Sequence, residues 1–291
     1  MFEYSLSAYC FNPLLHSNDL TIKSVMRFAR SVGFGALEML DMYWRDDSPR
    51  ARQAETLALD AAAESMSISC YTVHNDLGLF DERPHRELVD RMLGDVDLAV
   101  ALGAPVMRVE STWGPRDGKE DPGFEAYLPP VATGLREVAR KAAEHGIQVG
   151  LENHGRYVGS SERVMAIIEA VAEDNFGACL DIGNFLCVDE DPASAVTLLA
   201  PTAKHVHMKD FHLFAEDPPP ASFQTNGGLF LQGAILGEGI VEIDRCLGII
   251  ADAGYKGALS LEFEGVENLF YAVAKGYERL VESAGRLPRR K

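Results

Sequence analysis

Four ionisable residues each lie near the end of a separate apolar, strand-like run of this sequence. They are Glu152 in GLENHG, Asp181 in FGACLD, His207 in AKHVHMKD and Glu262 in GALSLEFEG. A buried charge without a partner is too costly to keep, so such residues require a cation, a proton or a metal. Three carboxylates and one imidazole suit Mn²⁺, Mg²⁺, Co²⁺ or Zn²⁺ and leave positions for substrate oxygens. We therefore predict that these four residues hold one divalent metal ion.

The alternative is a buried ion-pair network that needs no metal. Lys209, Arg108 and His154 would supply its cations. For any one of the carboxylates alone this alternative is the better interpretation, because charged residues are rarely buried unless they are paired. Four such residues at matching positions of four strands favour the metal.

Eight strand-like runs alternate with eight helical ones and would position these residues. The predicted strands are residues 2–9, 36–40, 67–74, 105–111, 147–154, 176–181, 203–209 and 257–264. The predicted helices are residues 21–32, 49–66, 84–102, 124–145, 160–172, 192–199, 241–253 and 266–284. Repeated βα units of this kind predict an α/β fold, a (β/α)8 TIM barrel, with residues 1–291 as a single domain.

Side-chain alternation in the later strands supports the barrel. In strand 257–264, the face that carries Glu262 also carries Ser260, whereas the opposite face is apolar, with Leu259, Leu261 and Phe263. Successive side chains of a strand point to opposite faces, so one face lines the interior and the other meets the helices. The inner face starts small or polar and ends ionisable, which predicts an active site at the C-terminal mouth of the barrel.

Composition argues against several classes of partner. The chain has 291 residues and a formal net charge of −17, which is unlike a protein that binds a nucleic-acid backbone. No apolar run is long enough to span a bilayer, and the N-terminus lacks a signal-peptide pattern. The five cysteines are scattered and form no CxxC pair, which is typical of reduced thiols. We predict a cytoplasmic protein that binds neither nucleic acid nor membrane.

One connection is longer than the others. Residues 211–238, called the lid segment below, separate the strand that carries His207 from the next helix and contain PPP and NGG. Connections of this length in compact domains commonly serve as lids or binding loops. We therefore predict that the lid segment covers the mouth of the barrel and influences substrate choice.

The motifs GLENHG, LDIGN, HVHMKD, LGEG and GYKGALSLEFEG follow one another in this order. This set resembles the xylose isomerase-like TIM-barrel superfamily (sugar phosphate isomerase/epimerase family), most closely its ketose 3-epimerase, hydroxypyruvate isomerase and inosose dehydratase branch. The resemblance implies that the metal ligands are Glu152, Asp181, His207 and Glu262. It also implies that Glu152 and Glu262 form the acid/base pair.

The same fold family includes endonuclease IV-type DNA repair enzymes, which add ligands for two more zinc ions. This sequence departs from their pattern, because Asn184 stands where they have a histidine. The fourth strand offers Arg108 and Glu110 rather than a histidine. Asn184 also replaces the histidine of some ketose 3-epimerases, so their substrate specificity does not transfer to this chain.

Other polar residues at the predicted mouth are secondary candidates. Lys209 would contact a substrate oxygen or a catalytic carboxylate, and His154 would orient a hydroxyl group or support Glu152. For each of them the alternative is a structural ion pair. His74, at the end of the third strand, is placed in the same way as His154. Glu38 and Glu110 are candidates for pocket walls, and Trp113 is a candidate platform for stacking against a sugar. His205 and Glu238 are expected to be structural.

Together these patterns predict a metal-dependent isomerase or epimerase that acts on a sugar or sugar-derived carbonyl compound. Glu152 and Glu262 would transfer a proton through an enediolate, with Lys209 and His154 as further catalytic residues. The predicted cofactor is one divalent metal ion, Mn²⁺ or Mg²⁺ before Co²⁺ or Zn²⁺. The predicted partner is a small-molecule sugar, and the sequence is compatible with either a monomer or a homo-oligomer.

The same site supports other outcomes. A dehydratase or lyase acting on an inosose or keto-glycoside, alone or with a partner subunit, would begin with the same proton abstraction. An endonuclease IV-type nuclease is the least favoured enzyme, and a non-catalytic sugar-binding barrel is the alternative outside enzymes. The loops set the substrate in such folds, so the sequence pattern leaves these alternatives open.

Overall fold

The computed structural model describes residues 2–80, 82–115 and 119–287. The strands in these residues are β1 Glu3–Ser7, β2 Ala36–Leu40, β3 Ser67–Thr72, β4 Val106–Val109, β5 Gln148–Glu152, β6 Phe176–Asp181, β7 Ala203–Met208, β8 Asp210–Phe214, β9 Phe223–Gln224, β10 Phe230–Ala234 and β11 Ala258–Leu261. The α-helices are α1 Asn12–His16, α2 Ile22–Val32, α3 Arg50–Ala63, α4 Glu82–Leu102, α5 Phe124–Glu144, α6 Ser161–Val171, α7 Pro192–Leu199, α8 Ile243–Asp252 and α9 Leu269–Gly285. Short 3-10 helices lie at Ala8–Phe11, Asp41–Tyr43, Asn184–Val188 and Ala200–Thr202. Across the described ranges, no helix combines the length and the apolar character that crossing a membrane requires.

Eight parallel strands close into a barrel in the order β1-β11-β7-β6-β5-β4-β3-β2. The predicted (β/α)8 barrel is therefore confirmed. The register places Asp181 opposite His207 and His207 opposite Ser260. Because all eight strands run the same way, their C-terminal ends meet at one rim, where the predicted site residues lie.

The outer faces of the strands form the apolar layer between barrel and helices. Leu151, Leu180 and Val206 are fully buried and belong to one hydrophobic cluster that includes residues from the surrounding helices. Burying each such side chain contributes about 1.5–3 kcal/mol. This layer fixes which face of each strand turns inward.

The interior of the barrel is polar. Ser5 Oγ and Ser69 Oγ form a 2.7 Å hydrogen bond across it, and Ser260 Oγ donates to Glu38 Oε2 at 2.7 Å. Buried polar groups are costly unless they are hydrogen-bonded, so these pairs make a polar interior tolerable. The predicted alternation of the strands is confirmed by these contacts.

Local signals explain where helices begin and end. Thr21 caps α2, because its side chain accepts a hydrogen bond from Ser24 N at 3.2 Å. Gly33, with a φ of 127°, ends the same helix. At α7, Asp191 accepts from Ser194 N at 2.8 Å and Pro192 occupies the first turn.

Six of the eight predicted strands are longer than the observed ones. The runs 147–154 and 257–264 end as strands at Glu152 and Leu261, so His154 and Glu262 lie in the loops that follow. The short helix α1 was not predicted, and Pro13 in its first turn is the signal that could have indicated it.

The lid segment, predicted only as a long connection, contains the strands of a three-stranded antiparallel sheet in the order β8-β10-β9. The NGG turn joins β9 to β10, and Thr225 N donates to Leu229 O at 2.8 Å across it. The strands are short and unevenly buried, because Phe211, Leu231 and Ala234 are buried whereas Leu213, Phe223 and Gln224 are exposed. They therefore lack the long, regular apolar alternation that predicts a strand.

Asp210 joins the two ends of the lid segment. Its Oδ2 accepts hydrogen bonds from Gly237 N and Gly239 N, both at 2.9 Å. Its Oδ1 accepts from Phe211 N at 2.9 Å and from Val241 N at 3.0 Å. One buried carboxylate therefore holds the lid segment closed at its base, directly behind the strand that carries His207.

Candidate active site

The four residues at the centre of the sequence prediction converge at the C-terminal rim. Glu152 and Asp181 end β5 and β6, His207 lies in β7, and Glu262 follows β11. Each offers one ligand atom, and these atoms all lie within 4.8 Å of one another. Glu262 N donates to Met208 O at 3.1 Å, which fixes the Glu262 backbone beside the end of β7.

The Asp181 carboxylate has one engaged oxygen and one open oxygen. Oδ1 accepts hydrogen bonds from Gly183 N at 2.8 Å and Asn184 N at 3.0 Å. Oδ2 is buried and accepts no hydrogen bond from any described residue. Burial raises the pKa of Asp181 to about 7. The positive charge of Lys209 lowers this pKa, and the negative charge of Glu262 raises it further. The open oxygen faces the other three residues.

Glu38 sets the orientation of His207. His207 Nε2 donates to Glu38 Oε1 at 3.1 Å, so the other ring nitrogen, Nδ1, faces the carboxylates. Thr72 Oγ1 and Ser260 Oγ also donate to Glu38, at 2.5 and 2.7 Å. A carboxylate that accepts a hydrogen bond from one ring nitrogen of a histidine fixes the tautomer and the orientation of the ring, so that the other nitrogen is free to bind a ligand. Sequence reasoning placed Glu38 only as a pocket wall.

Arg108 holds Glu152 in its charged form. The Arg108 guanidinium makes a short, buried ion pair with Glu152 Oε2, and its Nη1 lies 2.9 Å from Glu110 Oε1. Burial alone would raise the pKa of Glu152, but Arg108 and His207 outweigh it and hold that pKa well below its usual range. The ion-pair alternative weighed from the sequence is therefore present here, on one side of the cluster.

Lys209 is placed among three carboxylates. Its Nζ lies 3.7 Å from both Asp181 Oδ2 and Glu262 Oε2, and 3.5 Å from Glu264 Oε2. Burial would lower the pKa of Lys209, but Glu262 and Glu264 raise it well above its usual range. Burial would also raise the pKa of Glu262, yet Lys209 and His207 lower it. An ammonium and a carboxylate therefore face each other at the rim.

The four side chains fit a divalent cation. A donor–metal distance of about 2.1 Å places neighbouring donor atoms about 3.0–3.4 Å apart in octahedral or tetrahedral geometry. His207 Nδ1 lies 3.3 Å from Glu152 Oε1, 3.2 Å from Glu262 Oε2 and 3.9 Å from Asp181 Oδ2. Glu262 Oε2, like Asp181 Oδ2, is buried and has no hydrogen-bond partner in the described ranges. A cation between them would satisfy both oxygens.

Asn184 occupies a place beside the cluster. Its Nδ2 donates to Glu152 Oε1 at 3.1 Å, and its Oδ1 accepts from Lys209 Nζ at 3.4 Å. Both ends of the amide are therefore engaged with residues of the rim. The nuclease pattern needs a metal-binding histidine at this position, and this side chain instead connects Glu152 to Lys209.

His154 lies one layer outside the cluster. Its Nδ1 is 2.9 Å from Glu110 Oε1, and its ring packs edge-on against Trp113 with centroids 5.0 Å apart. Burial would lower the pKa of His154, but Glu110 and Glu152 raise it. Trp113 and His154 line the cavity described below. Glu110, predicted as a pocket wall, does not line it; this carboxylate is buried and pairs with Arg108 and His154.

Three remaining predicted residues have local partners. His74 Nδ1 contacts Asp41 Oδ1 at 2.7 Å and its ring borders the cavity described next. His205 is fully buried below His207 and contacts Glu38 Oε2 at 3.2 Å, as expected of an interior filler. Glu238 donates its N–H to Ile235 O at 2.8 Å in the turn that Asp210 holds.

Asn153 was not identified from the sequence as a positioning residue. Its Oδ1 accepts from Asp181 N and its Nδ2 donates to Asp181 O, both at 2.9 Å. The amide thus replaces a strand-to-strand hydrogen-bond pair where β5 ends. The signal was its position between Glu152 and His154, where an amide that can both donate and accept is an unusual choice for a buried site.

A cavity of about 250 Å³, called the inner cavity below, lies above the cluster. Glu152, His207 and Glu262 line it, together with Lys209 and Glu264. Most of its other lining residues are also polar or ionisable. A small polar cavity with converging charged groups is the expected form of a site for a small hydrophilic molecule.

The family model described as xylose isomerase-like TIM barrel matches residues 26–284. The chain belongs to this family. Inosose dehydratase of Bacillus thuringiensis (strain Al Hakam) is 24% identical over 271 residues, which cover 87% of this chain and 86% of that protein. The family assignment agrees with the resemblance seen in the strand-end motifs.

Two solved structures illustrate the shared fold of the family. The IOLI protein with a bound zinc atom has a TM-score of 0.77 and 16% identity, covering 99% of this chain and 100% of that one. L-ribulose 3-epimerase has a TM-score of 0.74 and 16% identity, covering 98% and 95% of the two chains. At these identities the similarity shows the fold alone.

Proposed function

We propose that the protein is a metal-dependent isomerase or epimerase that moves a proton at a carbon next to the carbonyl group of a sugar-like compound. One observation carries the proposal. Glu152 Oε1 and Glu262 Oε2 lie 3.3 and 3.2 Å from the same His207 Nδ1, and both line the inner cavity. This geometry supports the proposal, because two carboxylates on either side of the proposed cation would transfer a proton on two sides of a substrate.

A divalent cation held by Glu152, Asp181, His207 and Glu262 would polarise a carbonyl and a neighbouring hydroxyl oxygen, which makes the adjacent C–H bond more acidic. One glutamate removes the proton and the other returns it. Return to the opposite face of the same carbon gives an epimer, and return to the neighbouring carbon gives an isomer. Arg108 keeps Glu152 ionised, and Lys209 offers an N–H donor to a substrate oxygen beside Glu262.

A dehydratase is the second candidate, and two observations favour it. The chain is 24% identical to an inosose dehydratase over most of its length. Lys209 and His154 both line the inner cavity, where the protonated form of either side chain would give its proton to a departing hydroxyl group, which then leaves as water. Proton abstraction by Glu152 or Glu262 is common to both candidates, and the fate of the substrate hydroxyl separates them.

Deuterium exchange tests the proposal. The protein, loaded with Mn²⁺, is incubated in deuterated water with a panel of ketoses, inososes and 3-keto-glycosides, and the products are followed by NMR. We expect deuterium at a carbon next to the carbonyl of at least one compound. A new epimer or isomer supports the first candidate, whereas an enone that absorbs in the ultraviolet supports the dehydratase. No exchange with any member of the panel would contradict both.

We also propose that the protein works in the cytoplasm and does not act on nucleic acid. The formal charge of −17 opposes binding to a phosphate backbone, and all five cysteines are buried and unpaired. Abasic-site DNA with added zinc tests the second point. We expect no incision, and zinc-dependent incision that is lost in His207→Ala would overturn it.

A further inference from the structure

A second chamber opens from the inner cavity on the side of the lid segment. This outer chamber has a volume of about 810 Å³ and shares Trp113, His154, Lys209 and Glu264 with the inner cavity. Pockets for small organic ligands commonly span about 300–1,000 Å³. The inner cavity alone is below that range, and the outer chamber lies within it. The combined space exceeds what a single small polyol needs.

The lid segment forms a fixed wall of the outer chamber. Asn226 N donates to Cys187 O and Asn226 Nδ2 donates to Arg156 O, both at 3.0 Å. Arg156 Nη1 donates to Gln224 O at 3.3 Å. These bonds tie the β9–β10 turn to the loops after β5 and β6, and Asp210 ties the base of the lid. Hydrogen bonds between the lid segment and the barrel loops therefore hold this wall of the chamber in place.

Three aromatic side chains line the outer chamber. Trp113 stands at the border with the inner cavity, is 53% exposed, and has its ring perpendicular to that of His154. Phe223 of the lid segment is 39% exposed, and Tyr157 lines the chamber from the loop after β5. Large apolar side chains that stay exposed inside a concave site are typical of ligand contacts.

Both cationic and anionic side chains line the outer chamber. The Arg163 guanidinium lies 4.9 Å from the centroid of the Tyr157 ring and donates to Tyr157 O. Arg156 donates to the lid, as described above. Asp121, which accepts from Tyr157 OH at 2.9 Å, and Glu264 both add negative charge to the lining. Arg156 and Arg163 donate to neutral carbonyl oxygens and so keep their positive charge. The glucose 1-phosphate titration described below therefore separates binding of a phosphate group from binding of an aromatic ring.

We propose that the outer chamber binds an aromatic substituent carried by the reacting sugar, so that the natural substrate class is an aryl-substituted keto sugar. The reacting part lies in the inner cavity, and this assignment rests on the function proposed above. The aromatic ring contacts Trp113 and Phe223 across the border. A stacked aromatic pair contributes about 0.5–1.5 kcal/mol beyond its buried area, which corresponds to roughly a two- to tenfold gain in affinity.

Binding of inert glycosides tests the proposal without turnover. The chain has two tryptophans, so Trp44→Phe leaves Trp113 as the sole tryptophan fluorophore. Phenyl glucoside, methyl glucoside and glucose 1-phosphate are titrated into the Mn²⁺-loaded variant. We expect phenyl glucoside to change the Trp113 emission and to bind about five- to tenfold more tightly than methyl glucoside.

Calorimetry on Phe223→Ala and Trp113→Ala then locates the ring. We expect the phenyl preference to fall below about twofold in both variants and to persist in the control Leu59→Ala, an exposed apolar position on α3. Equal binding of phenyl and methyl glucoside, an unchanged preference in Phe223→Ala, or tighter binding of glucose 1-phosphate would each overturn the proposal. Failure of the proposed function is separate, because it appears as absent deuterium exchange with the carbonyl panel.

Discussion

Asp181→Asn is a sharp test of the proposed metal centre, because in this structure the substitution removes one donor atom and little else. The Asn Oδ1 can keep both hydrogen bonds that Asp181 Oδ1 accepts, from Gly183 N and Asn184 N. The amide NH₂ replaces Oδ2, the open oxygen that faces His207 and Glu262. An amide nitrogen is not a metal ligand, so the fold should persist while the cation site loses one of four donors.

The size of the effect follows from linkage. A ligand that binds only the folded chain at a hundredfold excess over its Kd stabilises it by about 2.7 kcal/mol. For a chain of this length, 1 kcal/mol shifts Tm by about 2 °C, so Mn²⁺ should raise the Tm of the chelator-treated protein by about 5 °C. If the variant binds a hundredfold more weakly, the gain at the same Mn²⁺ concentration falls to about 0.4 kcal/mol and the shift to about 1 °C.

Thermal unfolding by circular dichroism, with elemental analysis of the same samples, measures both quantities. Glu264→Gln is the matched control, because Glu264 contacts Lys209 at 3.5 Å but is outside the four-residue set. The control should keep the full Mn²⁺ shift. A full shift in Asp181→Asn would mean that the cation binds elsewhere, and no shift in the unaltered protein would refute the metal centre itself.

Three further predictions address proton transfer, buried charge and the lid. Glu152→Gln and Glu262→Gln should each lower kcat by a factor of about 100 or more, because an amide cannot accept and return the proton. Turnover and metal content are measured on the same samples. Normal turnover in either variant would mean that the substituted residue does not belong to the acid/base pair. Burial raises the pKa of Asp95 from 3.8 to about 6 in the folded protein. The stability that protonated Asp95 provides is therefore fully present at a pH below its pKa in the unfolded chain, and it is lost as the pH rises through its pKa in the folded protein. Asp95→Asn should therefore raise the free energy of unfolding, measured in urea, by about 1–3 kcal/mol at pH 8, and this gain should shrink toward zero near pH 4. An equal gain at both pH values, or the same gain in the control Asp46→Asn at an exposed position, would contradict this prediction. Asp210→Asn leaves one acceptor oxygen for four backbone N–H donors. It should lower the free energy of unfolding by about 2–4 kcal/mol and speed hydrogen exchange of the amides in the lid segment at least about tenfold. Unchanged exchange would mean that Asp210 does not anchor the lid segment.

The sequence alone determined the barrel and the position of the four central residues. Alternation with a period of two separates the inner and outer faces of each strand, so the inward position of Glu152 or His207 can be read locally. Parallel strands joined by helices must bring their C-terminal ends to one rim. Residues at the ends of different strands therefore meet whatever the details of the loops, and the convergence of Asp181 and Glu262 required no knowledge of side-chain packing.

Only the tertiary structure decided which partner each of these residues has. Glu38 reaches His207 across 169 positions of sequence, and Arg108 pairs with Glu152 across 44. These contacts depend on the register of neighbouring strands and on rotamers inside the barrel, which local patterns do not encode. The same holds for Asp210, whose four N–H donors come from both ends of the lid segment. Hydrogen bonds between distant residues become specific only once closure of the barrel has fixed the positions of both.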